Sequence, residues 1–225
     1  IVGDCKRVLR ELNHILRATV NGEHKELRKP WLDQIREWQR AHPLSYEQEA
    51  DGPIKPQQLI KRLYELTKDR DPIVATDVGQ HQMWAAQYFT LAKPRRWLTS
   101  GGLGTMGFGL PAAMGAQAIS RNRLVLCVAG DGSFQMNTQE LATAVVNKLP
   151  VKVFIVNNRF HGMVRQWQDL FYEGRYASSY LDVVPDFLKL AEAYGAVGLR
   201  AEKVSQVDDV IREALAVDKP VVVDV

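Results

Sequence analysis

Leu124–Asn158 reads LVLCVAGDGSFQMNTQELATAVVNKLPVKVFIVNN, and this stretch decides the fold. Leu124 to Ala129 is a continuous apolar run, the composition of a strand buried on both faces. Gly130-Asp131-Gly132 then reads as a turn, Thr138 to Lys148 as a helix, and Val151 to Val156 as a second apolar strand. Two strands joined by one helix make a βαβ unit, whose right-handed crossover sets the strands parallel and close together. Asp131 then stands at the carboxyl end of the first strand and Asn158 at that of the second. Open α/β sheets bind their ligands along that edge.

The same alternation extends in both directions. Upstream lie a helix at Gln57 to Lys68, a strand at Ile73 to Thr76 and a helix from near Gln80 carrying Met83, Trp84 and Tyr88. The glycine-rich stretch Gly101 to Gly109 leads into a helix at Pro111 to Ile119. Downstream come Asp186 to Tyr194, a strand at Val197 to Arg200, a helix at Gln206 to Ala216 and the terminal Val221 to Val225. Ser205 and Asp208 have the spacing of a capping box for that last helix. The expected fold is α/β, a mostly parallel sheet with helices on both faces, over residues 51–225. Residues 1–50 differ and predict a helical linker region. Val8, Leu9, Leu12, Ile15 and Leu16 fall at helical spacing, as do Trp31, Leu32, Ile35 and Trp38. Ala41 to Pro56, with Pro43, Pro53 and Pro56, reads as a linker. The opening Ile-Val-Gly-Asp resembles the tail of a strand, so the chain is expected to begin inside a longer polypeptide.

Composition narrows the functional classes. The 225 residues are 46% hydrophobic and 24% charged, with 16 Gly and 10 Pro dispersed along the chain, which excludes collagen-like and mostly disordered readings. Twenty-nine basic minus 26 acidic residues leave +3, and no dense basic block invites nucleic acid or an anionic membrane. No apolar run approaches the roughly 18 residues of a membrane span, and the N-terminus lacks a signal-peptide layout. Cys5 and Cys127 lie far apart, so a disulfide scaffold is not expected and a reducing compartment is.

The chemistry follows from ligand types. A carboxylate (Asp131) and an amide (Asn158) form a hard-oxygen site that favours magnesium, calcium or manganese over zinc. One carboxylate leaves a divalent ion under-neutralised, so the ligand must bring charge of its own, as a diphosphate does. Gly130 and Gly132 would let the backbone approach that diphosphate, beside the free N–H groups of the next helix. The residues themselves thus predict a magnesium diphosphate site. Gly102-Leu103-Gly104-Thr105-Met106-Gly107 also satisfies the G-x-G-x-x-G fingerprint of dinucleotide folds, with Asp131 near the acidic position. Against it, Arg95 to Ser100 makes a poor buried strand, and the fingerprint leaves Asn157-Asn158 unexplained. A non-catalytic binding module is a further alternative.

With 24 residues between Gly132 and Asn157, the pattern resembles the Gly-Asp-Gly to Asn-Asn signature of thiamine-diphosphate enzymes. Val78-Gly79-Gln80-His81-Gln82-Met83-Trp84, Gly101 to Gly107, and Gly162-Met163-Val164-Arg165-Gln166-Trp167 are similar to the catalytic large subunit of acetohydroxyacid (acetolactate) synthases. The likeness covers essentially the whole chain. It implies a transferase that decarboxylates pyruvate and condenses the product with a second 2-keto acid, pyruvate or 2-ketobutyrate, in branched-chain amino-acid biosynthesis. Pyruvate oxidase and pyruvate decarboxylase types are the related alternatives. The implied cofactors are thiamine diphosphate, Mg2+ and, in the full protein, FAD.

The resemblance also assigns residues. It implies metal ligation by Asp131, Asn158 and the carbonyl of Phe160, and diphosphate contacts from Gln80 and His81. Val78, Gly79, Gly104, Gly130, Gly132, Ser133, His161 and Gly162 would line the cofactor, and Met106 would lie beneath it. Met163 and Trp167 would form the substrate pocket, although their spacing equally suits a helix packing its apolar face. Residues 1–50 would be the end of a middle, FAD-binding-type domain, about Ile1 to Cys5, with linker helices, and residues 51–225 the pyrophosphate-binding domain. The family's activating glutamate comes from the N-terminal domain of a partner subunit, and no Glu here matches it, so these residues alone are expected to be inactive. A homodimer or tetramer with interfacial active sites, a regulatory small subunit, and a cytoplasmic, plastid or mitochondrial location complete the implied picture.

Overall fold

Two amphipathic helices make up the first unit, Ile1–Ser45, of the computed structural model, which describes residues 1–225. Asp4 accepts a hydrogen bond from the Arg7 N–H at 3.0 Å and starts α1 (Cys5–Thr19). Asn21 caps the His24 N–H and starts α2 (Gly22–Ala41). Side-chain oxygens at these positions satisfy N–H groups that have no partner within the helix. Both helices fall where the apolar spacing predicts them. Neither has a buried residue, and the rings of Trp31 and Trp38 meet edge-on at 5.6 Å.

The second unit, Tyr46–Val225, contains α3 (Pro56–Thr67), β1 (Ile73–Thr76), α4 (Gln80–Tyr88), β2 (Trp97–Leu98) and α5 (Gly109–Ile119). It continues through β3 (Val125–Gly130), α6 (Asp131–Phe134), α7 (Glu140–Val146), β4 (Lys152–Val156) and α8 (Gly162–Phe171). It closes with α9 (Phe187–Ala193), β5 (Val197–Arg200), α10 (Val207–Ala216) and β6 (Val221–Asp224). The strands form one six-stranded sheet in the order β2-β1-β3-β4-β6-β5, and every pairing is parallel. The linker before α3 is held by Gln48, whose side chain bonds the Lys55 N–H at 2.8 Å and the Pro53 carbonyl at 3.0 Å.

Alternate residues of each strand enter opposite cores, as the period of two requires. Val125, Cys127, Ala129, Val153 and Ile155 pack with Leu110, Ala113, Leu141, Phe187 and Ala191 of α5, α7 and α9. Leu126, Val128, Phe154, Val221 and Val223 pack with Leu59, Leu63, Val207 and Ile211 of α3 and α10. Covered on both faces, the central strands can be apolar throughout, and that is why they were legible as continuous runs. Gly198 is where β5 and α9 nearly touch. A Cβ there would lie 2.6 Å from the Leu188 Cα and 2.8 Å from its carbonyl oxygen. Gly198→Ala is therefore expected to cost about 1–3 kcal/mol, read as a lower midpoint of chemical unfolding.

Three details differ from the sequence reading. Gly130-Asp131-Gly132 is no free turn: α6 begins at Asp131, because the Ser133 hydroxyl folds back to the Gly130 N–H and carbonyl, both at 3.2 Å. A short 3-10 segment, Gln135–Asn137, follows, and α7 starts only at Glu140. Ser205 and Asp208 form no capping box. Arg62 takes Asp208 with a fork of two bonds at 2.7 and 2.6 Å, and the Gln206 side chain accepts the Glu202 and Lys203 N–H groups instead. Finally, the poor buried strand at Arg95 to Ser100 contains a two-residue, half-buried edge strand, β2, beside β1. No helix is long and apolar enough to cross a membrane.

Candidate functional site

β3 and β4 lie side by side with Gly130 opposite Val156, so Asp131 and Asn158 leave the sheet at the same edge. Asp131 is only 2% exposed. Its Oδ1 accepts from the Gly132 N–H at 2.8 Å and its Oδ2 from the Arg159 N–H at 2.6 Å. The second bond reaches across from one strand end to the residue after Asn158 and ties the two loops together. Burial pushes the Asp131 carboxyl above the ordinary range, opposed by those two N–H groups. The Asn158 side-chain oxygen accepts from the Phe160 N–H at 3.0 Å. Phe160 itself is bridged to Tyr180, and the Arg165 guanidinium lies 4.1 Å from the centre of its ring.

These groups open onto a cavity of about 890 Å³. The loop from β1 into α4 contributes Val78, Gly79, Gln80 and His81, and the glycine-rich stretch contributes Gly104 and Met106. Gly130 to Ser133 form the floor beside Asn158, Phe160 and His161, and α8 brings Gly162, Met163 and Trp167. Every residue singled out from the sequence therefore meets in one place. Met163 and Trp167 do not belong to a packed helix face, because α8 has no buried residue and Trp167 is 56% exposed. Gln80 is occupied within the protein, donating to the Gln166 side chain of α8 at 2.9 Å.

The glycines admit side chains rather than open space. A Cβ on Gly130 would lie 2.8 Å from the His81 Nδ1, and one on Gly132 would lie 2.7 Å from the His161 Cε1. His81 is 6% exposed and hydrogen-bonded to the Asp77 backbone, and its Nε2 is buried with no protein partner. A buried polar atom without a partner costs about 1–3 kcal/mol, so this nitrogen is available to a ligand in the cavity. Burial pushes the imidazole down to about 4. The folded protein therefore holds His81 neutral where an unfolded chain would protonate it, near 6.5. Between those values the unfolded state binds more protons, and stability falls as acid is added, by up to ~3 kcal/mol. In a ring-nitrogen NMR titration His81 is expected to stay neutral above about pH 5. A midpoint near 6.5 would contradict its burial.

Asp77, Tyr172 and Arg175 were not singled out from the sequence, and Trp84 was quoted only as part of its helix and of the Val78-to-Trp84 motif, with no role of its own. Trp84, Tyr172 and Arg175 line the cavity, the last two from a segment without motif character. Asp77 is 1% exposed and accepts from the N–H groups of Val78 (2.8 Å), Gly107 (2.9 Å) and Gly109 (3.0 Å). It pins the loop carrying Gly104 and Met106 to the end of β1. The signal was present in part: Asp77 directly follows the strand Ile73 to Thr76 and lies two residues before Gly79, as Asp131 lies just past its own strand beside Gly132.

Residues 77–225 match the model of the thiamine pyrophosphate enzymes' C-terminal TPP binding domain. The chain belongs to this family. Thiamine pyrophosphate is the cofactor called thiamine diphosphate above, and the dinucleotide reading of Gly102 to Gly107 gives way to it. The chain is 47% identical over 215 residues to the acetolactate synthase isozyme 3 large subunit of Escherichia coli (strain K12), covering 96% of this chain and 37% of that protein. It is 44% identical over 226 residues to an acetolactate synthase large subunit of Haemophilus influenzae, covering 100% of this chain and 39% of the relative. An acetolactate synthase of Mycobacterium bovis is 48% identical over 231 residues, covering 100% of this chain and 37% of the relative. The chain thus spans well under half the length of the curated relatives it matches.

The cavity suits the cofactor of this family. The unpartnered His81 Nε2, the acceptor nitrogen of a neutral ring whose other nitrogen serves the Asp77 backbone, offers a contact to a hydrogen-bond donor of the ligand, and Asp131 with Asn158 offers two hard oxygens at one edge. There is no cluster of three or more His, Cys, Asp or Glu side chains, so a cation held here would draw further ligands from phosphate, carbonyl or water.

Proposed function

We propose that the full protein is an acetolactate synthase, which decarboxylates pyruvate and joins the two-carbon remainder to pyruvate or 2-ketobutyrate. The observation that carries this reading is the convergence of the motif residues on one cavity where Asp131 and Asn158 leave neighbouring strands. Identities of 44–48% to acetolactate synthases support the choice of reaction over pyruvate oxidase or decarboxylase types.

In this reading Asp131, Asn158 and the Phe160 carbonyl hold Mg2+ against the diphosphate. Thiamine diphosphate supplies, when bound, the electron sink for decarboxylation and carbon–carbon bond formation. His81 presents its neutral Nε2 to the cofactor, and Gln80 gives up Gln166 to do the same. Met106, held in place through Asp77, packs against the cofactor. Met163 and Trp167 wall the substrate end, exclude water and select the acceptor by shape. Residues 1–50 are the end of an FAD-binding domain with linker helices, and residues 51–225 the pyrophosphate-binding domain. The assembled enzyme is a homodimer or tetramer carrying FAD, with the activating glutamate from a partner subunit. The bacterial relatives favour the cytoplasm.

Incubation of the full protein with pyruvate, thiamine diphosphate and Mg2+ is expected to yield acetolactate. Acetaldehyde or acetyl phosphate as the main product would overturn the assignment.

A further inference from the structure

The carboxyl edge of the sheet carries a chain of polar contacts that the reaction does not call for. Asn157, immediately before Asn158, donates from its side-chain amide to the Asp224 Oδ1 at 2.9 Å. The other Asp224 oxygen accepts two bonds from Arg200, from Nε at 3.1 Å and Nη2 at 3.0 Å. Arg200 also reaches Asp186, the residue that caps α9, at 3.4 Å. The contacts run across strands in register, since Asp224 of β6 lies opposite Ile155 of β4 on one side and Arg200 of β5 on the other. The backbone completes the grip: the Asn157 N–H donates to the Val225 carbonyl at 2.8 Å, and the Val225 N–H donates to the Ile155 carbonyl at 3.0 Å.

Asp224 is 6% exposed. A buried carboxylate is costly unless paired, and the Arg200 fork meets that need. The arrangement is more than a strand pairing requires, because β4 and β6 are already joined by their ladder. On the β4 side its only side-chain target is Asn157, one residue past the strand and immediately before Asn158. Asn157 is held from the β6 side by a side-chain bond and a main-chain bond, and Asn158 is held from the β3 side through the Asp131 bond to Arg159. The peptide between the two asparagines is thereby fixed at both ends.

We propose that Asp224, locked by Arg200, is a positioning residue that sets the Asn158 side chain for the cation through Asn157. The inference rests on the reading of Asp131 and Asn158 as Mg2+ ligands. Oxygen ligands to Mg2+ must meet a near-ideal octahedral geometry, so a few tenths of an ångström lost at Asn158 is felt in affinity.

The test is calorimetric titration of Mg2+ into the full protein at saturating thiamine diphosphate, for the wild type, Asp224→Ala, Asn157→Ala and the double variant. Each single substitution is expected to weaken Mg2+ about tenfold, and the double variant no more than either single one, because both break the same link. Leu63→Ala, a buried residue of α3 outside this chain of contacts, serves as the structural control, since it should lower the melting temperature and leave Mg2+ affinity unchanged. Asp224→Asn, which keeps an acceptor for Asn157 but weakens the Arg200 pairing, is expected to lie between wild type and Asp224→Ala and covers a failure of the alanine variant to fold. Folded variants with wild-type affinity, or fully additive losses, would overturn the role of Asp224 while leaving the metal reading intact. No Mg2+-dependent binding in the wild type would overturn the metal reading, and the positioning role with it.

Discussion

Asp131→Asn is expected to weaken Mg2+-dependent binding of thiamine diphosphate at least about 100-fold, equivalent to ~2.7 kcal/mol. The side chain is almost the same size, so packing survives. What is lost is the single carboxylate charge at the strand edge, since Asp131 is the one Asp or Glu lining the cavity. One of the two N–H groups now served by the carboxylate would also face an NH₂ group, loosening the tie between the β3 and β4 loops. Because burial of the charged carboxylate is itself unfavourable, global stability should change far less than affinity. Isothermal titration beside a thermal melt separates the two effects. Unchanged cofactor affinity in a folded variant would remove Asp131 from the metal site.

Asp77→Ala should show the largest loss of stability. Three backbone N–H groups, of Val78, Gly107 and Gly109, point at one buried carboxylate. Removing it leaves them without acceptors, and each orphaned group costs about 1–3 kcal/mol, partly recovered if water enters. A loss of at least ~3 kcal/mol is expected. The consequence for the cavity is direct, since the freed loop carries Gly104 and Met106. Cofactor affinity should therefore fall together with the unfolding midpoint, and Asp77→Asn, which retains one acceptor, should be milder in both. A variant with wild-type stability would show that the loop is held by other contacts.

The parts of the molecule that were legible in the sequence are those whose signal is local. The buried strands announce themselves by unbroken apolar runs, and α1 and α2 by their spacing. The meeting of Asp131 and Asn158 at one sheet edge was readable because each stands just past such a run, with one residue between. What escaped depends on contacts distant in sequence. Asp77 becomes a clamp only when the glycine-rich loop folds back onto it from some thirty residues away. Asp208 looked like the partner of Ser205 in a capping box, but Arg62, 146 residues away, takes it. The His81 ring over Gly130 and the His161 ring over Gly132 likewise explain the glycines by neighbours no spacing rule reveals. β2 was too short to announce itself, having only two residues to show a pattern.

The exposure of α8 has a consequence for how such a pocket changes over generations. Met163 and Trp167 sit on a helix with no buried residue, while Asp77 and Asp131 are embedded in the framework. Exchanging a side chain on such a helix removes little interior packing, so it costs little folding free energy. Side chains that line the cavity from α8 can therefore be exchanged one at a time with few compensating mutations elsewhere. The end held by Asp77 and Asp131 has no such freedom, because both carboxylates are also structural fasteners.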